Sequence, residues 1–210
     1  MRVLVACEYS GVVRDAFIAG GHDAMSCDLL PTDAPGPHYE GDVMDIIGIG
    51  WDLMIAHPPC TFLCSAAAKH LYMLDERGVS TLRDESGERI PNPQRIADRD
   101  ASVEFVRALM DAPIPRVAVE NPQGMLSSLY RKPDQYIQPW EFGHGETKKT
   151  GLWLKNLPPL MPTDIVQGRD DRIHKMPPSA DRWKLRSTTY GGIAAAMADQ
   201  WGSLAKEQAA

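Results

Sequence analysis

Two side chains that could act together on a substrate stand just after two short apolar runs of this sequence. Residues 51–56 (Trp-Asp-Leu-Met-Ile-Ala) lead into a Pro-Pro-Cys motif at 58–60, and residues 116–119 (Arg-Val-Ala-Val) lead into a Glu-Asn-Pro motif at 120–122. A cysteine thiolate is a nucleophile, and a carboxyl group can give or take a proton at the reacting atom. Each run is interpreted as a buried strand that ends beside a proline, so both groups are expected to be held stiffly.

Each of these residues alone has a commoner explanation. An isolated cysteine such as Cys60 is usually a small buried core residue, and Glu120 alone would be an exposed residue at a strand end. A zinc site is not expected, because Cys60 and Cys64 form a Cys-x₃-Cys pair without a second Cys or His pair at zinc spacing. A cysteine hydrolase that uses His57 or His70 is also disfavoured, since two prolines separate His57 from Cys60 and are expected to turn its ring away from the thiol.

The apolar runs place these groups in an α/β sheet. Strand, helix, strand and acidic residue open the chain in the order typical of a doubly wound nucleotide-binding sheet, in which ligands bind at the carboxyl ends of the strands. The sequence predicts strands at 2–7, 22–27, 51–56, 116–119 and 151–154, and helices at 12–19, 100–110 and 193–201.

The Pro-Pro-Cys and Glu-Asn-Pro motifs, in this order, resemble those of the DNA cytosine-5 methyltransferases. The resemblance implies a doubly wound, mostly parallel sheet of the S-adenosylmethionine-dependent methyltransferase (Rossmann-like) type, with S-adenosyl-L-methionine as cofactor and DNA as substrate. It implies that Cys60 attacks carbon 6 of cytosine, that Glu120 acts at ring nitrogen 3, and that a methyl group is transferred to carbon 5. Asn121 would hold the loop of Glu120 in shape.

The same resemblance implies a set of cofactor-binding residues. The family's glycine-rich turn after the first strand corresponds to residues 5–11, where Gly11 is retained but Glu8 and Ser10 stand where glycines are common. Asp28 matches the acid that binds the ribose, Asp42 is expected beside the adenine, and residues 190–193 match a late glycine-containing turn. The implied set is Cys7, Glu8, Tyr9, Ser10, Gly11, Asp28, Asp42, Pro58, Gly191 and Gly192.

The sequence departs from the family in two places. Lys148 and Lys149 stand where the family has a Gln-x-Arg-x-Arg motif; they either replace the arginines beside the target base or are a solvated pair. In place of a large target-recognition domain there is only an irregular, reduced region at 157–187. A single domain over 1–210 is expected, with a lid or insertion at 65–99 after the cysteine.

These departures leave the partner and the substrate open. Recognition is expected to be short, with single-stranded DNA or a short target sequence, or to come from a protein partner or a second copy of the chain. Alternatives are the same attack on a pyrimidine of RNA or a free nucleotide, transfer of another one-carbon group, and a non-catalytic protein that binds cofactor or nucleic acid.

Composition sets broader limits. The chain has 210 residues and a net charge of −6, which does not favour nucleic acid, yet basic residues cluster over 148–186 and predict a local basic face. No apolar run approaches the roughly 20 residues that cross a bilayer, so no membrane partner is expected. Four cysteines without a secretory signal do not indicate a disulfide framework, and the chain is expected to be cytoplasmic, in a bacterium or a phage-infected host cell.

Overall fold

A seven-stranded sheet forms the centre of the protein, in a computed structural model that describes residues 1–204. The strands are β1 (Arg2–Ala6), β2 (Asp23–Asp28), β3 (His38–Glu40), β4 (Leu53–Ala56), β5 (Arg116–Pro122), β6 (Gln135–Ile137) and β7 (Thr150–Lys155). Their order is β3-β2-β1-β4-β5-β7-β6. The first five strands are parallel, and β7 runs antiparallel to both β5 and β6. This is the Rossmann order with an antiparallel strand inserted before the last, and it confirms the predicted fold class.

Helices cover both faces of the sheet. They are α1 (Val12–Ala19), α2 (Pro93–Asp111), α3 (Leu126–Leu129), α4 (Arg172–Lys175), α5 (Arg182–Ser187) and α6 (Gly191–Gly202). Three 3₁₀ segments lie at Val43–Asp45, Ser65–Leu71 and Pro139–Glu141. None of the helices within 1–204 is both long enough and apolar enough to span a membrane.

Alternation along the buried strands divides the core into two layers. Successive strand residues point to opposite faces, so Leu4 and Met54 face one layer while Val5 and Ile55 face the other. The first layer is completed by α2, and the second by α1 and α6, whose Trp201 is fully buried. A sheet covered on both faces explains why the parallel strands read as continuous apolar runs.

Helix α2 is longer than the sequence predicted. It begins at Pro93, because the side chain of Asn92 accepts a hydrogen bond from the N–H of Arg95 and proline suits the first helical turn. Residues 93–99 of the predicted lid therefore belong to this helix. The rest of the segment consists of the 3₁₀ turn Ser65–Leu71 and the irregular stretch 72–92.

Strand β5 does not end before Glu120, contrary to the prediction. It continues through Pro122, because Glu120 pairs with Leu152, Asn121 with Gly151 and Pro122 with Thr150 across the antiparallel strand β7. The Glu-Asn-Pro motif is thus held by strand pairing as well as by its proline. The single domain predicted over 1–210 includes residues 205–210, which lie outside the described residues.

Candidate active site

A pocket of about 550 Å³, part of it open to solvent, lies at the carboxyl ends of β1, β4 and β5. This is where strand order reverses between β1 and β4, the place where open α/β sheets bind ligands. Four stretches of chain and one lysine line it: Cys7–Ser10, His57–Cys60, Glu120 with Pro122, Lys148, and Arg186–Thr189. The structure therefore brings Cys60 and Glu120, predicted from separate motifs, to one pocket.

Cys60 occupies a tight turn directly after β4. Its carbonyl oxygen accepts hydrogen bonds from the N–H groups of Leu63 and Cys64, both at 3.0 Å. Burial is the main cause that raises the pKa of the Cys60 thiol, and electrostatic interaction with Cys64 and Glu120 raises it further, against the opposing charge of Lys148. The free protein therefore holds Cys60 as the thiol, and a positive charge beside it would favour the thiolate.

Glu120 lies in the wall of the pocket with 12% of its side chain exposed. Its Oε2 lies 2.8 Å from Nδ1 of His57, a hydrogen bond in which the imidazole N–H donates to the carboxylate. Burial acts to raise the pKa of Glu120, but the His57 hydrogen bond and the positive charge of Lys148 outweigh it, and the pKa lies below its usual range. The carboxyl group is thus a carboxylate in the free protein.

Asn121 is buried and does not line the pocket. Its Nδ2 donates a hydrogen bond to the carbonyl oxygen of Pro58 at 3.0 Å, which joins the Pro-Pro-Cys turn to the end of β5. Predicted among the catalytic residues, it lies behind Cys60 and Glu120 and holds their two loops together. Pro58, predicted at the cofactor site, lines the pocket.

The two predicted lysines face different surroundings. Lys148 lines the pocket, and its charge lowers the pKa values of both Cys60 and Glu120. Lys149 is exposed, lies outside the pocket and stacks over the ring of Tyr136, with Nζ 4.4 Å from the ring centre. Only Lys148 is placed to meet a substrate in this pocket, because adjacent residues of an extended chain point in opposite directions.

The turn after β1 forms the opposite wall and is built differently from a glycine-rich loop. Cys7 has a left-handed backbone with φ of 56°, which is uncommon for a residue with a Cβ. The carboxylate of Glu8 accepts the N–H groups of Val13 and Arg14, at 2.7 and 3.2 Å, and Ser10 donates its hydroxyl to the same carboxylate. Glu8 therefore supplies the anion at the N-terminus of α1 that a ligand would otherwise provide.

Tyr9 connects this turn to the wall formed by the end of α5. Its hydroxyl donates to the carbonyl of Lys184 at 3.1 Å and lies 3.0 Å from Oγ of Ser187. Its ring contacts the ring of Trp183, with centroids 5.5 Å apart. The predicted recognition region thus reaches the pocket through α5.

Three further predicted cofactor residues lie beside the pocket rather than in its lining. Gly11, with φ of 76°, precedes α1, where a Cβ would come within 2.5 Å of the Arg14 guanidinium. Asp28 ends β2 and accepts the N–H of Leu30, while Asp42 accepts the N–H of Met44 at a 3₁₀ turn.

Asp28 and Asp42 are nevertheless close to the pocket wall. Burial chiefly raises the pKa of the Cys7 thiol, and the negative charges of both aspartates raise it further. Burial also raises the pKa of Asp28 itself, although the N–H of Leu30 opposes this. Because Ala6 pairs with Cys27 in the sheet, Asp28 lies at the strand end beside the turn of Cys7.

Gly191 and Gly192 lie outside the pocket. A Cβ on Gly192 would lie 1.8 Å from the carbonyl oxygen of Phe142, and its N–H donates to Nε2 of His144 at 3.0 Å. Nothing lies within 4 Å of a Cβ on Gly191, which is exposed. Glycine at 192 is thus required by packing of α6, and the pocket wall on this side is formed by Thr188 and Thr189 instead.

Sequence reasoning missed His57 and the stretch Arg186–Thr189 as pocket residues. The position of His57 directly before Pro-Pro-Cys was a usable signal, since a pocket that holds Cys60 also receives the residues beside it. Arg186–Thr189 stands just before the predicted late turn, and no pattern of its own marked it.

The basic face predicted over 148–186 is neutralised only in part. Arg172 pairs with Glu146, Lys175 with Asp171 and Lys184 with Asp33. Among the described residues, by contrast, Arg186 has no acidic partner, and it lines the pocket. Nor do residues 1–204 hold a group of three or more His, Cys, Asp or Glu side chains placed to bind a metal ion.

Comparison with known proteins gives a likeness to solved structures but no sequence match. No protein-family profile matches the sequence, and no curated protein matches it. A crystal structure of a mutant of DNMT2 from Spodoptera frugiperda is similar, with a TM-score of 0.38 and 11% sequence identity. The likeness covers 85% of this chain and 60% of that one.

Proposed function

We propose that the protein is an S-adenosylmethionine-dependent methyltransferase that acts on carbon 5 of cytosine in DNA. The observation that carries the proposal is that Cys60 and Glu120 line one pocket at the carboxyl end of the sheet. A core cysteine needs no carboxyl partner, and a structural glutamate needs no thiol beside it. A nucleophile and an acid in one pocket are what addition to a pyrimidine ring requires.

The chemistry assigned to the two residues balances as follows. The Cys60 thiolate forms a bond to ring carbon 6, the electrons of the 5,6 double bond move through the ring to nitrogen 3, and that nitrogen takes a proton from the Glu120 carboxyl group. Carbon 5 thereby becomes nucleophilic. When bound, S-adenosylmethionine would supply an electrophilic methyl group to carbon 5, and its sulfonium sulfur would keep the electron pair of the broken S–CH₃ bond as the neutral thioether S-adenosylhomocysteine. Loss of the carbon 5 proton to water, return of the nitrogen 3 proton to Glu120 and departure of the Cys60 thiolate restore the aromatic ring.

The pKa directions fit this order of events. Burial chiefly keeps Cys60 protonated in the free protein, whereas Lys148 and His57 keep Glu120 ionised against the effect of its burial. A sulfonium cation near Cys60 favours its thiolate, and a buried pyrimidine that excludes water favours protonation of Glu120. The reactive protonation states are therefore expected only with both ligands in place.

The residues around the turn after β1 fit the proposed cofactor. Cys7–Ser10 line the same pocket as Cys60, and the half-buried Asp28 carboxyl group follows them at the neighbouring strand end. Acidic oxygens there suit hydroxyl and amino donors of a nucleoside. Asp28 and Asp42 would hold that part of the cofactor, and the Cys7–Ser10 turn would hold the part nearest Cys60.

A free pyrimidine nucleotide is the second candidate substrate. It is favoured by the pairing of Arg172, Lys175 and Lys184 with acids, which reduces the unpaired cationic surface that a long phosphate backbone would need. Arg186 at the pocket would meet one phosphate in either case.

The test is transfer of a labelled methyl group from S-adenosylmethionine to duplex DNA, single-stranded DNA, RNA and cytidine nucleotides, with nucleosides identified by mass spectrometry. We expect label at carbon 5 of DNA cytosine, abolished in Cys60→Ser and retained in the matched variant Cys64→Ser. With DNA that contains 5-fluorocytosine, where no proton can leave carbon 5, we expect a covalent adduct mapped to Cys60.

Each of the other outcomes contradicts one part of the proposal. Label in the nucleotide alone selects the second candidate. Product from Cys60→Ser removes the assigned nucleophile. The absence of label from every pyrimidine tested, with cofactor bound in calorimetry, would make the protein a non-catalytic binding protein.

A further inference from the structure

The imidazole of His57 lies behind the Glu120 carboxyl group, and the proposed reaction assigns it no role. Its Nδ1 lies 2.8 Å from Glu120 Oε2, and only 9% of the His57 side chain is exposed. Its other nitrogen, Nε2, is buried and has no hydrogen-bond partner among the described residues. Among the described residues, the ring therefore makes its polar side-chain contact with the residue proposed to protonate the substrate.

The backbone holds this ring firmly. The N–H of His57 donates to the carbonyl of Ala6 at 2.9 Å, which continues the ladder between β1 and β4 by one residue. Pro58 follows directly and restricts the backbone of His57 to extended conformations. Asn121 fixes the carbonyl of Pro58 from the other side. The ring is thus attached to the two strands that present Cys60 and Glu120.

The hydrogen bond of the pair places one proton. Because a carboxylate oxygen can only accept, Nδ1 of His57 carries a proton and donates it to Oε2 of Glu120. His57 thus acts as a fixed donor to one oxygen of the carboxylate.

We infer that His57 is a positioning residue that holds Oε2 of Glu120 so that Oε1 faces ring nitrogen 3 of the target pyrimidine. The inference rests on the proposed function and adds to it a residue outside the Pro-Pro-Cys and Glu-Asn-Pro motifs. A glutamate side chain turns about several bonds, and a donor fixed on one oxygen removes most of that freedom. Misplacement of a reacting group by about 1 Å can reduce a rate by about 10²-fold.

The hydrogen bond from His57 also influences the pKa of Glu120. Burial acts to raise the pKa of Glu120, and the His57 hydrogen bond and the Lys148 charge lower it; the Thr150 hydroxyl also lowers it. The Glu120 charge in turn raises the pKa of Cys60, and Lys148 lowers it. Loss of the His57 donor alone would leave the remaining groups in place, so the pKa of Glu120 would rise.

Three substitutions separate positioning from packing. His57→Asn keeps an N–H donor near the Nδ1 position, His57→Gln moves the amide to the Nε2 position, and His57→Ala removes the donor. Methyl transfer is measured for each from pH 4 to 10, at saturating cofactor, with thermal unfolding and cofactor binding by calorimetry as controls on folding.

We expect His57→Ala and His57→Gln to lower kcat by about 10²-fold with little change in cofactor affinity. In His57→Ala the acidic limb of kcat/KM, where Glu120 titrates, moves to higher pH. His57→Asn retains most of kcat and the wild-type acidic limb. A packing role would instead predict losses that follow the thermal stability, with an unmoved acidic limb.

The outcomes distinguish this inference from the proposed function. An active wild-type protein whose kcat and acidic limb are unchanged in folded His57→Ala overturns the inference and leaves the function standing. A wild-type protein that modifies no pyrimidine overturns both. If His57→Asn is as slow as folded His57→Ala, fixed donation to Oε2 is the wrong role for His57.

Discussion

Asn121 donates a hydrogen bond to the carbonyl oxygen of Pro58 at 3.0 Å, and this bond ties the turn of Cys60 to the strand of Glu120. The amide is buried, while Cys60 and Glu120 lie in the pocket on either side of it. The relative position of the proposed nucleophile and acid therefore depends on a residue that reaches neither substrate nor solvent.

Asn121→Ala is expected to lower both stability and activity. The variant leaves the Pro58 carbonyl buried without its donor, which costs about 1–3 kcal/mol in the free energy of unfolding. It also loosens the two turns, so kcat should fall at a temperature where the variant remains folded. Urea unfolding and methyl transfer at low temperature measure the two effects.

A matched control exists outside the pocket. Asn156 donates to the carbonyl of Pro115 at 2.8 Å from a left-handed backbone with φ of 54°. Asn156→Gly removes this donor and keeps the backbone conformation. The variant should retain kcat, and an equal loss of kcat in both variants would show that the bond to Pro58 has no special effect on the site.

The reactivity of Cys60 should report the charge of Glu120. Burial chiefly raises the thiol pKa, and electrostatic interaction with Cys64 and Glu120 adds to this, so alkylation by iodoacetamide is slow near neutral pH and accelerates as pH rises. Glu120→Gln removes a negative charge and lowers the thiol pKa, so alkylation at a given pH becomes faster. Lys148→Gln removes the opposing positive charge and slows it.

Peptide mass spectrometry at several pH values measures the rate at Cys60 separately from the other cysteines. The free protein is used, so the measurement does not depend on the identity of the substrate. Identical pH profiles in wild type and Glu120→Gln would show that the charge of Glu120 does not affect the pKa of the Cys60 thiol.

Much of the fold could be predicted because the buried strands carry continuous apolar runs. Helix α1 begins and ends where its pattern predicted, at Val12 and Ala19. The strands β3 and β6 were missed, since each has only three residues and depends on pairing with a neighbour. The extension of β5 through Pro122 was missed for the same reason, because β7 supplies its hydrogen bonds.

At the site, local motifs predicted Cys60 and Glu120, but they did not predict the contacts that position these residues and shift their pKa values. The hydrogen bond between His57 and Glu120 joins residues 63 positions apart, and no local pattern encodes it. Lys148 and Lys149 look equivalent in the sequence, and only the direction of the chain before β7 separates them. Acid partners such as Glu146 and Asp33, far from Arg172 and Lys184 in sequence, neutralise part of the predicted basic face.

Gly192→Ala should unfold or strongly destabilise the protein, whereas Gly191→Ala should be tolerated. The added methyl at 192 would meet the Phe142 carbonyl at 1.8 Å, and backbone cannot move aside cheaply. A loss of about 3 kcal/mol or more is expected. At 191 no atom lies within 4 Å of the new methyl, so the free energy of unfolding should change by less than about 1 kcal/mol.

Cofactor affinity by calorimetry completes this comparison. Both glycines were predicted to bind cofactor, yet the pocket wall is formed by Thr188 and Thr189. Gly191→Ala should therefore bind S-adenosylmethionine as wild type does. A folded Gly191→Ala variant with much weaker binding would instead support a direct role of this turn in cofactor binding.

Arg186 should contribute more to nucleic-acid binding than its paired neighbours do. It lines the pocket and has no acidic partner among residues 1–204, whereas the ammonium of Lys175 lies 2.9 Å from the Asp171 carboxylate. A cation already paired with a carboxylate gains less from a phosphate, since the carboxylate must first be displaced or must share it.

Arg186→Gln is expected to weaken DNA binding at low salt and to reduce the slope of log affinity against log salt by about 1, while Lys175→Gln changes neither much. Fluorescence anisotropy with labelled single-stranded and duplex DNA at several salt concentrations makes the comparison. Equal effects of the two substitutions would mean that DNA binds to charge spread over this surface. Arg186 would then not be a specific phosphate contact of the pocket.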